Sequence, residues 1–384
     1  MNEHEREQAR LLVRREQATF RLEKTDRLVR RDWGMFAATR QRWLSEGWNG
    51  DPTIFQLDPS PYFPVNLVDL VGIDVPVSPQ FEIKIIREDE HYVYQQTSAG
   101  AIEKFLHGTK RNDEAMPQYW RNPVTCIEDW EYKVKPRLDP DTPERWHHLY
   151  LAEEASAAIR DGVRLYEASA IGAYMYLRAL LGPEEVLYTF YDNPDLIHDM
   201  MRTWLNLLKT CLLRIQAKVP FFKLLFGEDI AYKNGLLISP AMIDEFLTPY
   251  YLDLLQALSH GQADPIHFEI DSDGNMKEFL PIYMQMGFNV FRPFEIAANN
   301  NLVAIGSQYP GIVLCGGIDK RILGDSPAAI ETYLQSIMPF FTKRGGYIPT
   351  CDHSVPSTVP FANYMYYRKR MIEMDGCGGF FPNV

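Results

Sequence analysis

Three carboxylates, two thiols and one imidazole recur in this chain at spacings that suit a shared site. Asp271, Asp273, Glu295, Cys315, Cys351 and His353 each stand at or just past the end of a short apolar run. The runs are IHFEI (266–270), FNVFRPF (288–294), IVLCG (312–316) and YIPTC (347–351). Asp273, Glu295 and Cys315 follow one another at intervals of 22 and 20 positions, and Cys351 lies 36 further on. Intervals of this size match βα units, whose strand ends converge on one mouth of a parallel barrel. Two carboxylates and a thiolate there form a chemically reasonable Zn²⁺ set, because zinc accepts oxygen and sulfur and a catalytic site needs only three protein ligands. The same residues have a plainer reading. Asp-Ser-Asp-Gly is a turn and cap sequence in its own right, and Cys315 before Gly316-Gly317 suits a crowded strand end. His353, on a Pro-bounded loop, is the other group able to move a proton at neutral pH. It could equally hold a neighbouring loop.

Two further groups belong beside these. His267 and Glu269 are two positions apart on one predicted strand, so they share a face and form either a second metal-type pair, a substrate contact or part of the packed wall. The run FFKLLF (221–226) is followed by an acid, a phenol and an amine, Asp229, Tyr232 and Lys233, which are candidate pocket residues at another strand end.

The elements that must position these groups can be traced along the chain. Residues 1 to about 48 mix Arg, Glu and Gln with Leu, Val, Phe and Trp, the composition of amphipathic helices lying on a larger body. FEIKII (81–86) and YVYQQT (92–97) predict a hairpin around an acidic turn, and residues 100–136 show little periodicity and read as a surface wrap. LAEEASAAIR (151–160) predicts a helix and GVRLY (162–166) a strand. Asn193-Pro194, Ser239-Pro240 and Ser326-Pro327 are helix starts, Pro249 should kink the second helix, and Gly345-Gly346 should stop the third. This alternation over the second half predicts an α/β fold, a (β/α)8 TIM barrel with N-terminal helical and hairpin additions. Its parts divide into an extension over 1–60 and a barrel over 61–384. No GxGxxG follows an early strand, which weakens a dinucleotide-binding open sheet.

Composition sets limits on partners. The chain has 384 residues, a formal net charge of -12 and 46% hydrophobic residues. That is enough apolar content for a large core, while the acidic balance disfavours nucleic acid. No run is long enough to span a membrane and no secretory leader is evident, so a cytoplasmic protein is expected. Five dispersed cysteines, 126, 211, 315, 351 and 377, read as thiols. The 13% aromatic content suits a lined pocket or ordinary packing.

The segments NPVTCIEDWEYKVKPRLDP, GEDIAYKNGLLISP, DSDGNM, GFNVFRPFEIAA, LCGGIDKRIL and GGYIPTCDHSVPSTVPFANYMYY resemble the uroporphyrinogen decarboxylase superfamily. That group contains the decarboxylase, corrinoid-dependent methyltransferases and, more distantly, cobalamin-independent methionine synthase. The resemblance implies a barrel. It also implies, for the methyltransferase branch, zinc on a His-x-Cys pair with a later Cys and, in the methionine synthases, a Glu. By motif position Asp271 and Asp273 stand at the His-x-Cys, Glu295 at the Glu and Cys351 at the final Cys. The substitution of two acids makes a harder site. The Arg-rich RQAGRY-type signature of the decarboxylase is missing, which disfavours a porphyrinogen substrate.

The expected function is therefore methyl transfer from a small methylated compound, a methoxylated aromatic being one option, to a corrinoid carried by a partner protein. Asp271, Asp273, Glu295 and Cys351 would hold the metal, with His353, Asp229 and Lys233 as catalytic groups and Tyr232, His267 and Glu269 contacting substrate. A homodimer is one option for its assembly. The alternatives are a metal-free decarboxylase-like lyase and a non-catalytic barrel that binds a tetrapyrrole or a corrinoid protein.

Overall fold

A computed structural model describes residues 1–70, 75–108 and 118–375. Its centre is a parallel sheet of six strands: β5 (Glu167–Ile171), β6 (Lys223–Gly227), β9 (His267–Asp271), β10 (Val290–Arg292), β11 (Val313–Cys315) and β12 (Tyr347–Ile348). They lie side by side in chain order, each followed by helix. Between β6 and β9 a two-stranded hairpin, β7 (Ala231–Tyr232) and β8 (Gly235–Leu236), stands on the rim. The wall continues through irregular segments. Met35 bridges Val355 in parallel beyond β12, Tyr62 bridges Leu165 ahead of β5, and Arg31 bridges Gln56 between the two. The architecture is that of a TIM-barrel-like α/β fold, with residues 29–63 built into its wall rather than lying outside it.

The helix starts behave as their chemistry requires. Asn193, Ser239 and Ser326 each accept a backbone N–H from the third residue on, and each is followed by Pro at the first helical position. The helix after Ser239 breaks at Leu247, two residues before Pro249, because a proline ring clashes with the preceding turn. Strand β5 differs from expectation. GVRLY supplies only the isolated bridge at Leu165, and the strand is the next five residues, EASAI. Its small Ala and Ser side chains let helices approach closely and carry little β propensity, so the sequence signal fell one element early.

A separate antiparallel sheet has four strands: β1 (Lys84–Glu88), β2 (Tyr92–Gln96), β3 (Ile102–Leu106) and β4 (Gln118–Arg121). The predicted hairpin is β1 and β2. The expected surface wrap over 100–136 is corrected, since it contributes β3 and β4.

Two packed layers hold the barrel. The larger core lies between strands and outer helices, where Phe226 and Tyr251 pack on each other and both touch Trp204 and Phe288. A smaller one fills the floor inside the barrel: Phe20, Val29, Val290, Val313, Cys315 and Ile348. Phe20 arrives there as the last residue of helix α1 (Glu3–Phe20), which lies across the N-terminal ends of the strands. Among the described residues no helix is long and apolar enough to cross a membrane. Cys126, Cys211, Cys315 and Cys351 are free thiols, as read, and Cys377 lies outside the described residues.

Candidate active site

Parallel register brings the loops of three strands to one height. Gly227 pairs with Asp271, and Asp271 with Arg292, so Asp229, Asp273 and Glu295 all emerge two or three residues beyond one level. The loop after β9 is held from both sides. Gly274 has φ +92°, and a Cβ there would sit 2.6 Å from the Tyr232 backbone nitrogen, so only glycine fits. Its N–H donates to Glu295 Oε2 at 3.1 Å, and Asn275 N–H donates to Tyr232 O at 3.0 Å. Asp273 N–H points to Asp229 Oδ1 at 3.4 Å. Asp229 itself sits at φ +39°, uncommon for a residue with a side chain.

Cations and one imidazole complete the rim. Lys320 Nζ lies 2.6 Å from Glu295 Oε1. Asp352, fully buried, accepts the backbone N–H of Ile296 at 2.9 Å and of Lys320 at 3.0 Å, tying the loops after β10 and β11 together. His353 Nε2 lies 3.9 Å from Asp273 Oδ2, and its ring stacks on Phe36 at 5.3 Å. A cleft of about 360 Å³ opens between Phe36, Asp273, Glu295, Lys320, Arg321 and His353.

Crowding of like charges in partly desolvated surroundings shifts these groups. Burial, then repulsion from Asp229, Glu295 and Asp271, pushes the Asp273 carboxyl up to about 8. Burial raises Asp352 to about 6. Burial and then Lys320 hold the His353 imidazole below its ordinary value. The cleft thus offers a carboxylic acid that keeps its proton at neutral pH beside an imidazole that is neutral there.

The expected zinc set does not fit. Asp271 is bound by Arg292, whose Nε and Nη2 both lie 2.9 Å from Oδ2, and Glu295 is engaged by Lys320. Cys351 points elsewhere. It follows Thr350, which lines the barrel interior, and alternation along an extended segment turns its thiol outward. There its N–H donates to Asp32 Oδ1 at 2.9 Å, and burial, then Asp32, pushes the thiol well above its usual range. Among the described residues no three His, Cys, Asp or Glu side chains are arranged to hold a metal ion.

The other expected residues separate as well. His267 and Glu269 face the barrel interior below the rim. His267 packs edge-on against Phe20, and burial lowers it to about 4. Burial opposes ionisation of Glu269, yet Lys223 and Arg292 outweigh it and hold the carboxyl at about 2. Tyr232 and Lys233 are exposed at the hairpin tip, beside the rim and outside the cleft. Asp229, Asp273, Glu295 and His353 are therefore the predicted residues that converge. Sequence reasoning missed Lys320, Asp352, Arg292 and Phe36. Lys320 and Asp352 lie within the motifs LCGGIDKRIL and PTCDHSVP and follow strand ends, so position offered a signal for both. Phe36 is more than 300 residues away in sequence from His353 and had none.

Residues 119–373 match the uroporphyrinogen decarboxylase (URO-D) family. Among solved structures, a methyltransferase from Methanosarcina mazei aligns over 94% of this chain and 98% of its own, with 13% identity and a TM-score of 0.56. Xylanase B from Clostridium stercorarium F9 aligns over 58% of this chain and 73% of its own, with 10% identity and a TM-score of 0.32. No curated protein matches the chain in sequence. The first of these likenesses establishes a common fold.

Proposed function

Since the chain belongs to the uroporphyrinogen decarboxylase family, we propose that it is an enzyme whose rim cleft uses Asp273 as a general acid in methyl transfer from a small methylated compound. The family supports a methyltransferase-like or decarboxylase-like activity. One observation carries the choice of acid: Asp273 opens onto the cleft with a carboxyl raised to about 8, so it is mainly protonated at pH 7. An acid with a value near the working pH is the most effective proton donor.

In this reading the bond between the methyl carbon and its oxygen, nitrogen or sulfur breaks while Asp273 passes its proton to that heteroatom. Asp229 and Glu295 disfavour the ionised acid and so keep the proton on Asp273 at neutral pH, available to the heteroatom as that bond breaks. Lys320 fixes Glu295, and Phe36 holds the His353 ring where it can return a proton from solvent to Asp273. A corrinoid on a partner protein would supply the methyl acceptor. Asp271 and Glu295 are paired with Arg292 and Lys320 and Cys351 is turned away, so these residues do not fit the expected zinc set.

A second reading rests on Lys320 and Arg321 in the cleft wall, which suit a carboxylate substrate. There a carbon–carbon bond breaks, carbon dioxide leaves, and the carbon takes the Asp273 proton. One experiment separates the two. The purified chain is incubated with free cob(I)alamin and a panel of O-, N- and S-methyl compounds, and methyl transfer is followed by absorbance. Transfer from at least one compound, reduced about 10²–10⁴-fold in Asp273→Asn, is expected. No transfer from any of them, with carbon dioxide released from small carboxylic acids instead, would favour the lyase.

A further inference from the structure

A second cavity, of about 220 Å³, lies inside the barrel below the rim, walled by the central strands, α1 and residues 56–62. Its charges are compensated. Lys223 Nζ lies 2.9 Å from Glu167 and 2.6 Å from Glu269, Arg292 lies 3.2 Å from Glu269, and Arg31 lies 2.6 Å from Glu16. Its hydrogen bonds are not all made. Among the described residues Trp33 Nε1 and Thr350 Oγ1 are buried without a partner, and Thr350 is only 3% exposed. Arg31 donates through Nη2 alone among the described residues, which leaves Nε and Nη1 free. Buried donors without acceptors are costly and rare in native proteins.

The spare donors come from two neighbouring segments of the cavity wall. Residues 31 and 33 alternate onto one face of their segment, and Thr350 comes from the neighbouring segment, which the Met35–Val355 bridge places alongside. In the order of the wall, the carboxylates of β5 and β9 come from strands not adjacent to this donor cluster, and Arg292 reaches between Glu269 and the Trp33 ring. The Trp33 face is covered by the Arg292 guanidinium, 3.5 Å from the ring centroid, so its N–H edge is what remains for a ligand. An occupant must bring acceptors to Arg31, Trp33 and Thr350. It must also carry little net charge, since the walls are already balanced and an unpaired buried charge is strongly unfavourable.

We infer that this inner cavity is a binding site for a small zwitterion of the amino-acid class, its carboxylate toward Arg31, Trp33 and Thr350 and its ammonium toward Glu167 and Glu269. The volume is ample for such a molecule, since about 10–15 Å³ already admits a water. The site is independent of the chemistry proposed for the rim. Arg292 lies between the two, bonding Glu269 inside and Asp271 at the strand end.

The test is calorimetric titration of the full chain with glycine, L-alanine, acetate and ethylamine. Glycine or alanine is expected to bind, and acetate and ethylamine at least tenfold more weakly, or about that. Thr350→Val, which keeps shape, and Trp33→Phe, which keeps the ring beneath Arg292, should each weaken the amino acid about three- to tenfold, while Asp273→Asn leaves its affinity unchanged. Failure of all four probes to bind, acetate binding as tightly as glycine, or affinity that follows Asp273 rather than Thr350 and Trp33, would each overturn the inference. Melting curves confirm that each variant is folded. A failed rim reaction with intact glycine binding rejects only the rim chemistry.

Discussion

Asp273 sets a pH dependence that stability measurements can read. Its folded value near 8 exceeds the ordinary 3.8, so between these values the native state holds more protons than the unfolded chain. Stability contributed by this group is complete below about pH 4 and is lost as pH rises toward 8. Asp273→Asn should therefore melt with the wild type at pH 4 and above it at pH 8, the gap growing between and levelling beyond. Parallel curves across that range would contradict the crowding described at the rim. Lys320 acts in the other direction on its neighbour. Because it lowers the His353 imidazole, Lys320→Met should raise the midpoint of that ring in an NMR titration, and an unchanged midpoint would remove Lys320 from the site's electrostatics.

At the scale of elements, the loop after β9 depends on one glycine. Gly274→Ala adds a Cβ against the Tyr232 backbone at positive φ, at an expected cost of about 1–3 kcal/mol in denaturant unfolding. A change below a few tenths would show that the hairpin yields freely. Asn193→Ala removes the side-chain cap on the 23-residue helix Pro194–Gln216 and should cost about 1 kcal/mol. Both elements were legible in the sequence, for different reasons. Helix starts such as Asn193-Pro194 are local chemistry, and the strand ends bearing Asp273 and Glu295 follow from alternation of apolar runs. The strand EASAI was not legible, because a strand flanked closely by helices uses small residues that carry no periodic signal. The partners of each site residue were also hidden. Spacing places Asp271 and Cys351 at strand ends, yet only the packed chain shows Arg292 holding the first and the second turned toward Asp32. Ligation depends on such pairings, which form between segments remote in sequence.

For the whole molecule, α1 is the floor of the barrel. Phe20 packs against Phe222 and His267, and Phe20→Ala should destabilise by about 3–5 kcal/mol, seen as a lower melting temperature. A loss under 1 kcal/mol would mean that the floor is held without it. The wall next to that floor is completed by segments from opposite ends of the described chain. Trp43 Nε1 donates to Val359 O, 316 residues away, and Arg30 pairs with Asp375 across 345. Contacts this distant make folding slow. They also impose an order on biosynthesis: at about 5–20 residues per second, tens of seconds pass between the emergence of Trp43 from the ribosome and that of its partner. During that interval the ion pairs of the half-made wall face water, and an indole destined to be fully buried waits for a chaperone or for the end of translation.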